Sequence, residues 1–367
     1  MEVKRNVLLN PGPATTTNSV KYAQVVPDIC PRESEFGKVM EFVSKELTNF
    51  VGDNENYTTV LFGGSGTAAV EAMISSVVGE KTILIINNGA YGNRMVEIAK
   101  IYNLNFIEYK SSPIKAIDLI ELEKAIKNYS GEISHLAVIH HETTTGLLND
   151  VKNIGTICKK YSIDMIVDAM SSFAGIPINM DDMNIKYLAS SSNKCIQGMA
   201  GISFVIANIK ALEKTKEIKP RNLYLNLYNQ YSYFVDNYQM RFTPPVQVIY
   251  ALKQAIIETK KETIEKRYNR YVECCKVLWM GLKDIGLEKL VSEEDSSMLL
   301  TTIIEPKNEE YEFDKLHDEL YKNGYTIYPG KVSLENTFRI ANIGEIYPDD
   351  IKKVIEIMKK FFKNMIV

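Results

Sequence analysis

The sequence predicts an α/β fold in which a mostly parallel sheet is covered by helices on both faces and is followed by a smaller α+β unit. Between residues 55 and 210, short apolar or β-branched runs alternate with stretches of helical spacing. That alternation is typical of a parallel sheet with helices packed on it. From about Val246 the pattern changes to a long charged amphipathic stretch, followed by short strands between helices. The change in pattern indicates a second unit.

The first unit contains seven strand-like runs, and helical stretches separate most of them. About ten residues, including Gly198 and Gly201, separate the last two runs. A parallel crossover needs a dozen or more residues, so we expect the final strand to run antiparallel to its neighbours. The predicted strands are residues 58–62, 82–87, 106–109, 135–140, 165–168, 187–190 and 202–206, and the predicted helices are residues 68–78, 92–101, 119–129 and 154–161.

The second unit begins with a helical stretch at residues 250–286, which is either one helix or two helices separated by a break. Short strands are predicted at residues 298–304, 326–328 and 337–340, and helices at residues 312–323 and 348–364. We therefore expect a large domain at residues 15–250. A small C-terminal domain would comprise residues 251–367 together with the N-terminal segment 1–14.

Composition and charge exclude several classes of function. The 367 residues carry 43 basic and 46 acidic side chains, for a formal net charge of −3, so nothing argues for binding of nucleic acid or of an anionic membrane. No apolar run is long enough to span a bilayer, and none of signal-peptide length follows the N-terminus. The five cysteines are scattered and form no C-x-x-C pair, which favours reduced thiols over a disulfide framework or a zinc site. We expect a cytoplasmic protein without a bound metal.

A glycine-rich turn, GGSGT at positions 63–67, follows the first predicted strand and opens the first predicted helix. Glycines let the backbone approach an anion closely, and a helix N-terminus offers unpaired N–H groups, so a phosphate is a natural ligand. The dinucleotide pattern fits Gly64-x-Gly66-x-x-Ala69 formally, but the acidic ribose ligand expected about 20 residues later is missing. A P-loop would need a lysine directly after Gly66. Taken alone, the motif could also be a plain strand-to-helix turn.

Two further residues at strand ends favour a phosphate-bearing cofactor. Asp168 ends an apolar strand at the carboxyl edge, where α/β sheets bind ligands. Lys194 follows the next strand within a run of small polar residues, and a partly desolvated amine there is a usable base that also forms an imine with an aldehyde. A carboxylate, a lysine and a phosphate-binding turn are the three groups that pyridoxal 5′-phosphate requires.

These motifs resemble those of the class V aminotransferases, a family of fold-type I pyridoxal phosphate enzymes, along nearly the whole chain. Within the family the sequence is most similar to the branch that exchanges an amino group between 2-aminoethylphosphonate and pyruvate. The resemblance implies a mostly parallel seven-stranded sheet in the large, cofactor-binding domain, a small C-terminal domain, and a homodimer with shared active sites. The segments that carry it are LLNPGP (8–13), GGSGTAAVEA (63–72), NNGAYGNRM (87–95), HHETTTGLLN (140–149), VDAMSSFAGIP (167–177), SSSNKCIQG (190–198), YPGKVS (328–333) and FRIANIGEIY (338–347).

The resemblance also assigns roles to individual residues. Lys194 matches the lysine that bonds covalently to the cofactor, and Asp168 matches the partner of the pyridine nitrogen. Arg339 matches the arginine that receives the anionic group of the substrate, and its guanidinium fork suits a carboxylate or a phosphonate. Thr243 matches a contact that reaches the cofactor phosphate from the neighbouring subunit. The other matched positions are Ser65, Gly66 and Thr67 at the phosphate, Tyr91 on the ring face, Thr143 beside the phenolic oxygen and Asn193 beside the phosphate.

Some features leave alternatives open. Residues 28–36 differ from the corresponding segment of well-known family members, so both phosphonate degradation and phosphonate synthesis remain open as the direction of flux. Arg32 in this segment fits either a contact near a phosphonate or a surface pair with Glu33 or Glu35. The adjacent His140 and His141 face opposite ways on a strand, which favours packing of one of them near the cofactor over a metal site.

Other functions use similar residues. An alanine–glyoxylate or serine–pyruvate aminotransferase of the same class would use the same lysine, aspartate and arginine. Cysteine desulfurases share the fold, but they typically carry a histidine before the lysine, where this chain has Asn193, and a mobile C-terminal cysteine. The last cysteines here, Cys274 and Cys275, lie in a predicted helix. A catalytically silent binding module would have lost the lysine or the arginine, and both are present. The resemblance implies a transaminase that uses 2-aminoethylphosphonate and pyruvate.

Overall fold

The computed structural model describes residues 3–330 and 335–363. Within these residues, seven strands form a central sheet, helices cover both of its faces, and a smaller α+β unit follows. The strands are β1 (Val7–Leu8), β2 (Tyr57–Gly63), β3 (Thr82–Asn87), β4 (Phe106–Lys110), β5 (Ile133–Ile139), β6 (His141–Glu142), β7 (Leu147–Leu148), β8 (Asp164–Asp168), β9 (Ile185–Ser191), β10 (Ile202–Asn208), β11 (Leu300–Ile304), β12 (Tyr325–Thr326), β13 (Tyr328–Pro329) and β14 (Thr337–Ala341). The helices are α1 (Asn18–Tyr22), α2 (Ser34–Asn49), α3 (Gly66–Val77), α4 (Ala90–Ile101), α5 (Leu119–Asn128), α6 (Val151–Lys160), α7 (Ile209–Lys214), α8 (Leu227–Asn237), α9 (Val246–Glu262), α10 (Ile264–Ile285), α11 (Phe313–Lys322) and α12 (Pro348–Lys363), with a 3-10 turn at Thr215–Glu217.

The central sheet has the strand order β2-β10-β9-β8-β5-β3-β4. Strand β10 pairs antiparallel with both of its neighbours, and the other pairs in this sheet are parallel. The predicted direction of the last strand is therefore confirmed, because the short link between β9 and β10 cannot hold a parallel crossover. Each strand predicted in the first unit matches an observed strand whose bounds differ by a few residues at most.

Apolar side chains on both faces of the central sheet explain why helices pack on both of them. Along β3, Ile83 and Ile85 pack into one core, whereas Leu84 and Ile86 pack into another, as the alternation of side chains along a strand requires. Helices α2, α5, α6 and α9 contribute to the core that contains Leu84, and helices α3, α4, α7 and α8 contribute to the opposite core. The strand ends are thus fixed between two packed layers. The carboxyl ends of β5, β8 and β9 meet at one edge.

The C-terminal unit has its own core and takes in the N-terminal strand. Strands β11, β14 and β13 form an antiparallel sheet, and β1 pairs parallel with β12. The single strand predicted at residues 326–328 is wrong, because this stretch divides between two partners. The N-terminal segment pairs with Tyr325 and Thr326, whereas Tyr328 pairs with Arg339 of β14.

The long helical stretch of the second half is two helices, α9 and α10, which meet at Thr263 with a φ of 71°. The predicted domain boundary at residue 250 falls within α9, which packs against α2 and contributes Ile249, Leu252 and Ile256 to the core that contains Leu84. The division into residues 15–250 and 251–367 stays a prediction. Over the described ranges, no helix combines the length and the apolar character that crossing a bilayer requires.

Candidate active site

A cavity of about 320 Å³ lies at the carboxyl edge of the central sheet, where β8 and β9 end and α3 begins. Eight of the ten residues predicted for the site line this cavity, and Arg339 and Thr243 do not. The eight are Ser65, Gly66, Thr67, Tyr91, Thr143, Asp168, Asn193 and Lys194. The fold therefore brings stretches that are far apart in the sequence to one place.

The glycine-rich turn forms one wall of the cavity. Helix α3 begins at Gly66, and Ser65 precedes it as an N-cap residue with extended backbone. The first N–H groups of a helix have no intrahelical partner. Those of Gly66 and Thr67 lie at the positive end of the helix dipole, where an anion is favoured. A methyl group on Gly66 would collide with the thioether of Met170. A larger residue at this position would therefore require the Met170 side chain to move.

Asp168 ends β8 with its carboxylate buried, and 6% of the residue is exposed. Its Oδ1 accepts a hydrogen bond of 2.9 Å from the backbone N–H of Met170. Burial raises the pKa of the carboxyl group to about 6, because little solvent remains to stabilise the charge. A cationic N–H group in the cavity would stabilise the ionised carboxylate.

Lys194 lies in the turn after β9, and its amine is held against the N-terminal NPGP turn. Nζ donates a hydrogen bond of 2.7 Å to the carbonyl oxygen of Pro11. Burial lowers the pKa of this amine to about 8, so about a tenth of it is unprotonated at pH 7. Gly12 has a φ of 130°, and a side chain there would collide with the lysine amine. The turn therefore needs glycine to leave room for Lys194.

Glu142, which the sequence analysis did not single out, connects two parts of the site. Its carboxylate is fully buried. Oε2 accepts from the backbone N–H of Tyr91 at 3.2 Å, and Oε1 accepts from the backbone N–H and the hydroxyl of Thr144 at 3.0 Å and 2.6 Å. Burial raises the pKa of this carboxyl group. Glu142 thus fixes the start of α4, which carries Tyr91, to the segment that carries Thr143.

Arg94 and Asn193 lie on the cavity wall near the glycine-rich turn. Nη1 of Arg94 donates to the hydroxyl of Thr67 at 3.2 Å, and its guanidinium carbon lies 4.9 Å from the centre of the Tyr91 ring. Oδ1 of Asn193 accepts from the hydroxyl of Ser191 at 2.9 Å. Arg94 is not among the predicted site residues, although its position three residues after Tyr91 at the start of a predicted helix places both side chains on one face.

Arg339 lies behind Thr143 rather than on the cavity wall. It is 2% exposed. Nη1 donates to the carbonyl oxygen of Thr143 at 3.1 Å, and Nε and Nη2 donate to that of Pro329 at 3.0 Å and 2.9 Å. Among the described residues these contacts use three of the five N–H groups of a guanidinium, so two have no partner there. Burial lowers the pKa of Arg339. Of the YPGKVS motif, residues 331–333 lie outside the described residues.

Thr243 is exposed in the segment before α9 and does not contribute to the cavity of its own chain. That position agrees with a residue that serves a neighbouring subunit. Its contact with a cofactor phosphate stays a prediction.

One of the two adjacent histidines lines the cavity, although they do not share a strand, because β5 ends before His140 and β6 begins at His141. Nδ1 and Nε2 of His141 lie 3.0 Å from the hydroxyl of Ser171 and 2.9 Å from that of Ser297. His140 is turned away and contacts Ser172. Burial lowers the pKa of His141 to about 3, so the ring is neutral and serves as a polar contact within the wall.

Among the described residues Arg32 forms no ion pair with Glu33 or Glu35, and its contact near a phosphonate stays a prediction. Its guanidinium donates to the carbonyl oxygens of Met240 and Arg241 at 2.7 Å and 3.1 Å, and it lies over the ring of Tyr233. Backbone carbonyls of a distant segment thus replace the expected acidic neighbours, which no local sequence pattern could indicate.

A buried amine, a buried carboxylate and a helix N-terminus around one cavity, at the carboxyl edge of a mostly parallel sheet, define a pyridoxal phosphate enzyme of fold-type I. The family model of the class V aminotransferases matches residues 16–331. The chain belongs to the class V aminotransferase family.

Individual relatives are similar over nearly all of this chain. The 2-aminoethylphosphonate–pyruvate transaminase of Bacillus cereus (strain G9842) is 41% identical over 364 residues, which are 98% of this chain and 99% of that protein. The bifunctional phosphonoacetaldehyde hydrolase/aminoethylphosphonate transaminase of Clostridioides difficile (strain 630) is 41% identical over 98% of this chain, and the chain spans 56% of the length of that relative. Among solved structures, the alanine–glyoxylate aminotransferase of Nostoc sp. has a TM-score of 0.90 at 26% identity, covering 98% of this chain and 96% of that one.

The cofactor of this family is pyridoxal 5′-phosphate, and the residues around the cavity fit it. Among the described residues, the Asp168 carboxylate accepts a hydrogen bond only from Met170, which leaves it to receive a protonated ring nitrogen. The start of α3 offers backbone N–H groups to a phosphate. Lys194 offers an amine of lowered pKa to an aldehyde. The set of donors and acceptors is therefore that of a pyridoxal phosphate site.

Proposed function

We propose that this chain is a transaminase that moves the amino group of 2-aminoethylphosphonate to pyruvate and yields phosphonoacetaldehyde and alanine. The observation that carries the proposal is the position of the half-buried Lys194 and the buried Asp168 at one cavity beside a helix N-terminus. Similarity to named 2-aminoethylphosphonate–pyruvate transaminases over nearly their whole length supports this choice of substrates.

When bound, pyridoxal phosphate supplies an electron-accepting ring and a carbon on which the amino group is held between two half-reactions. Asp168 keeps a proton on the ring nitrogen, because its buried carboxylate is stabilised by a cationic partner. The residues that hold the rest of the cofactor are Ser65, Gly66, Thr67 and Asn193 at the phosphate, Tyr91 at the ring face and Thr143 at the phenolic oxygen.

Lys194 anchors the cofactor and moves the proton. With a pKa of about 8, its free amine is a base near neutral pH, which suits removal of a proton from the substrate carbon that bears the nitrogen. The Pro11 carbonyl lies 2.7 Å from Nζ and gives the free amine a fixed position, so the proton is removed and returned by one oriented group.

Arg339 receives the anionic end of each substrate in turn. Its guanidinium is already oriented by the carbonyl oxygens of Thr143 and Pro329. The two remaining N–H groups can donate to two oxygens of one anion, and both a phosphonate and a carboxylate offer such a pair. One arginine therefore serves the phosphonate of the amino donor and the carboxylate of pyruvate.

The assembly that we propose is a cytoplasmic homodimer with shared active sites. Thr243 of one subunit contacts the cofactor phosphate of the other. The exposed position of this threonine outside its own cavity supports that arrangement.

The second candidate is an alanine–glyoxylate or serine–pyruvate aminotransferase. It is favoured by the likeness to the Nostoc alanine–glyoxylate aminotransferase over 98% of this chain. The lysine, the aspartate and the arginine would serve it equally well, so the amino donor decides between the two functions.

A panel of amino donors tests the proposal. The purified protein, supplied with pyridoxal phosphate, is assayed with 2-aminoethylphosphonate, alanine and serine as donors and with pyruvate and glyoxylate as acceptors. We expect kcat/KM for 2-aminoethylphosphonate with pyruvate to exceed that of the other pairs by at least about tenfold, because a phosphonate dianion offers the guanidinium more negative charge and one more acceptor oxygen than a carboxylate does. Lys194→Ala should be inactive, and Lys216→Ala, at an exposed lysine, should retain full activity. A preference for alanine with glyoxylate would establish the second candidate, and inactivity with every pair would refute both.

A further inference from the structure

Arg94 is a cation on the cavity wall to which neither the motifs nor the proposed function assigns a role. It lies in the first turns of α4, three residues after Tyr91. Its guanidinium stacks on the Tyr91 ring, with 4.9 Å between the guanidinium carbon and the ring centre, and Nη1 donates to the Thr67 hydroxyl at 3.2 Å. Two independent contacts therefore direct this charge toward the glycine-rich turn.

The cavity needs positive charge to bind a phosphate, and few of the side chains that line it are cationic. Among the residues that line the cavity, the cationic side chains are Arg94 and Lys194. Lys194 is held by Pro11 and is committed to the aldehyde carbon of the cofactor. The N-terminus of α3 offers the equivalent of about half a positive charge, which falls well short of a phosphate dianion. Among the residues that line the cavity, Arg94 is placed to supply a further full positive charge.

We propose that Arg94 is a ligand of the cofactor phosphate and extends the binding turn formed by Ser65, Gly66 and Thr67. This inference rests on the proposed function in that it takes pyridoxal phosphate as the cofactor. A phosphate oxygen hydrogen-bonded to Thr67 lies within about 6 Å of Nη1 of Arg94, given ordinary hydrogen-bond lengths. The proposal requires the exposed Arg94 side chain to rotate so that this distance closes.

Through its contact with Tyr91, Arg94 also influences the part of the site that is proposed to hold the cofactor ring. A guanidinium over an aromatic ring is attracted to the ring face and restricts the motion of the tyrosine. The same residue therefore couples the phosphate end of the site to the side chain proposed to contact the pyridine ring. A structural role on Tyr91 alone would affect every ligand that carries the ring, whereas a phosphate ligand affects only those that carry the phosphate.

A comparison of pyridoxal 5′-phosphate with pyridoxal separates these two effects. The two compounds share the ring and the aldehyde and differ in the phosphate. Binding of each to the cofactor-free protein is followed by absorbance or by equilibrium dialysis, and the ratio of the two dissociation constants is the preference for the phosphate. The variants are Arg94→Gln, Arg94→Lys and the control Lys100→Gln, which removes an exposed cation from the last turn of the same helix.

We expect Arg94→Gln to reduce the preference for the phosphate about tenfold, the size typical of a lost charge-assisted hydrogen bond. Pyridoxal should bind to this variant within about twofold of the wild-type protein. Arg94→Lys should keep part of the preference and Lys100→Gln all of it. The wild-type preference should also fall more steeply with salt than that of Arg94→Gln, since the interaction of an exposed charge is screened.

Two results would overturn the inference, and they are distinguishable. If the wild-type protein binds pyridoxal phosphate and Arg94→Gln keeps the wild-type preference, Arg94 is not a phosphate ligand and the proposed function is unaffected. If the wild-type protein binds neither compound, the proposed cofactor site fails and this inference fails with it. Circular dichroism of each variant verifies that the fold is retained.

Discussion

At the scale of single residues, burial acts on Asp168 and Lys194 in opposite directions. It raises the pKa of the carboxyl group to about 6 and lowers that of the amine to about 8. In each case the charged form is less stable than it would be in water, because a charge in the cavity has lost its contact with the solvent. A protonated ring nitrogen and a reactive aldehyde provide the partners that these two groups lack. Asp168 and Lys194 therefore favour binding of the cofactor and lower the free energy of unfolding of the cofactor-free protein.

Asp168→Asn measures that decrease in stability. In the wild-type protein the folded state binds more protons at Asp168 than the unfolded chain does between pH 4 and pH 6. The stabilising contribution of the protonated carboxyl group is therefore complete at low pH and is lost as the pH rises through 6. Asparagine does not titrate. We expect the stability advantage of the cofactor-free Asp168→Asn protein over the wild-type protein to grow by about 1 kcal/mol from pH 5 to pH 7.5, measured by urea unfolding.

The same variant should lose catalysis. An amide keeps the shape of the side chain but cannot stabilise a protonated ring nitrogen by charge, so kcat should fall by about a hundredfold or more. A stability advantage that stays constant with pH would show that Asp168 is not the titrating group. Near-normal turnover would contradict its proposed role beside the ring nitrogen.

At the scale of the elements, the alternation of short apolar runs with stretches of helical spacing was sufficient to predict the central sheet. Strand β3 is apolar on both faces, which is typical of a strand buried between two helix layers. The short link between β9 and β10 predicted the antiparallel strand, because loop length limits the connection. By contrast, residues 325–329 divide between β12 and β13, which depends on the pairing of β1 from the other end of the chain. Long-range pairing of such short strands leaves no local pattern.

The site shows the same division between local and long-range information. Strand-end residues such as Asp168 and Lys194 could be predicted, because the carboxyl edge of a parallel sheet is where ligands bind. Glu142 and Arg94 could not be assigned in the same way, because their contacts with Tyr91 and Thr67 depend on how helix α4 packs against two other segments. The contact of Arg32 with the carbonyl groups of Met240 and Arg241 is of the same kind.

At the scale of the whole molecule, the proposed site is complete only when a second subunit supplies Thr243. A hybrid dimer tests this arrangement. One subunit carries Lys194→Ala, and the other carries Thr243→Glu, which places a negative charge beside the phosphate. The two kinds of subunit carry different affinity tags, so that the hybrid can be purified. In a shared-site dimer one of the two sites then has an intact lysine and an intact threonine, and the hybrid should have about half of the wild-type activity.

Both parent homodimers should be inactive in this experiment. If Thr243 served the site of its own chain, the hybrid would contain no intact site and would be inactive as well. An active Thr243→Glu homodimer would remove the threonine from the site altogether. Sedimentation of the wild-type protein as a monomer at working concentrations would contradict the proposed assembly.

The most direct measurement of the central claim is to identify which lysine carries the cofactor. Borohydride reduction of the protein loaded with pyridoxal phosphate fixes the cofactor to the amine to which it is bonded, and peptide mapping then locates the modified residue. We predict a single modified peptide that contains Lys194, and its absence when 2-aminoethylphosphonate is added in excess before the reduction. Modification of any other lysine, with Lys194 unlabelled, would contradict the proposed site.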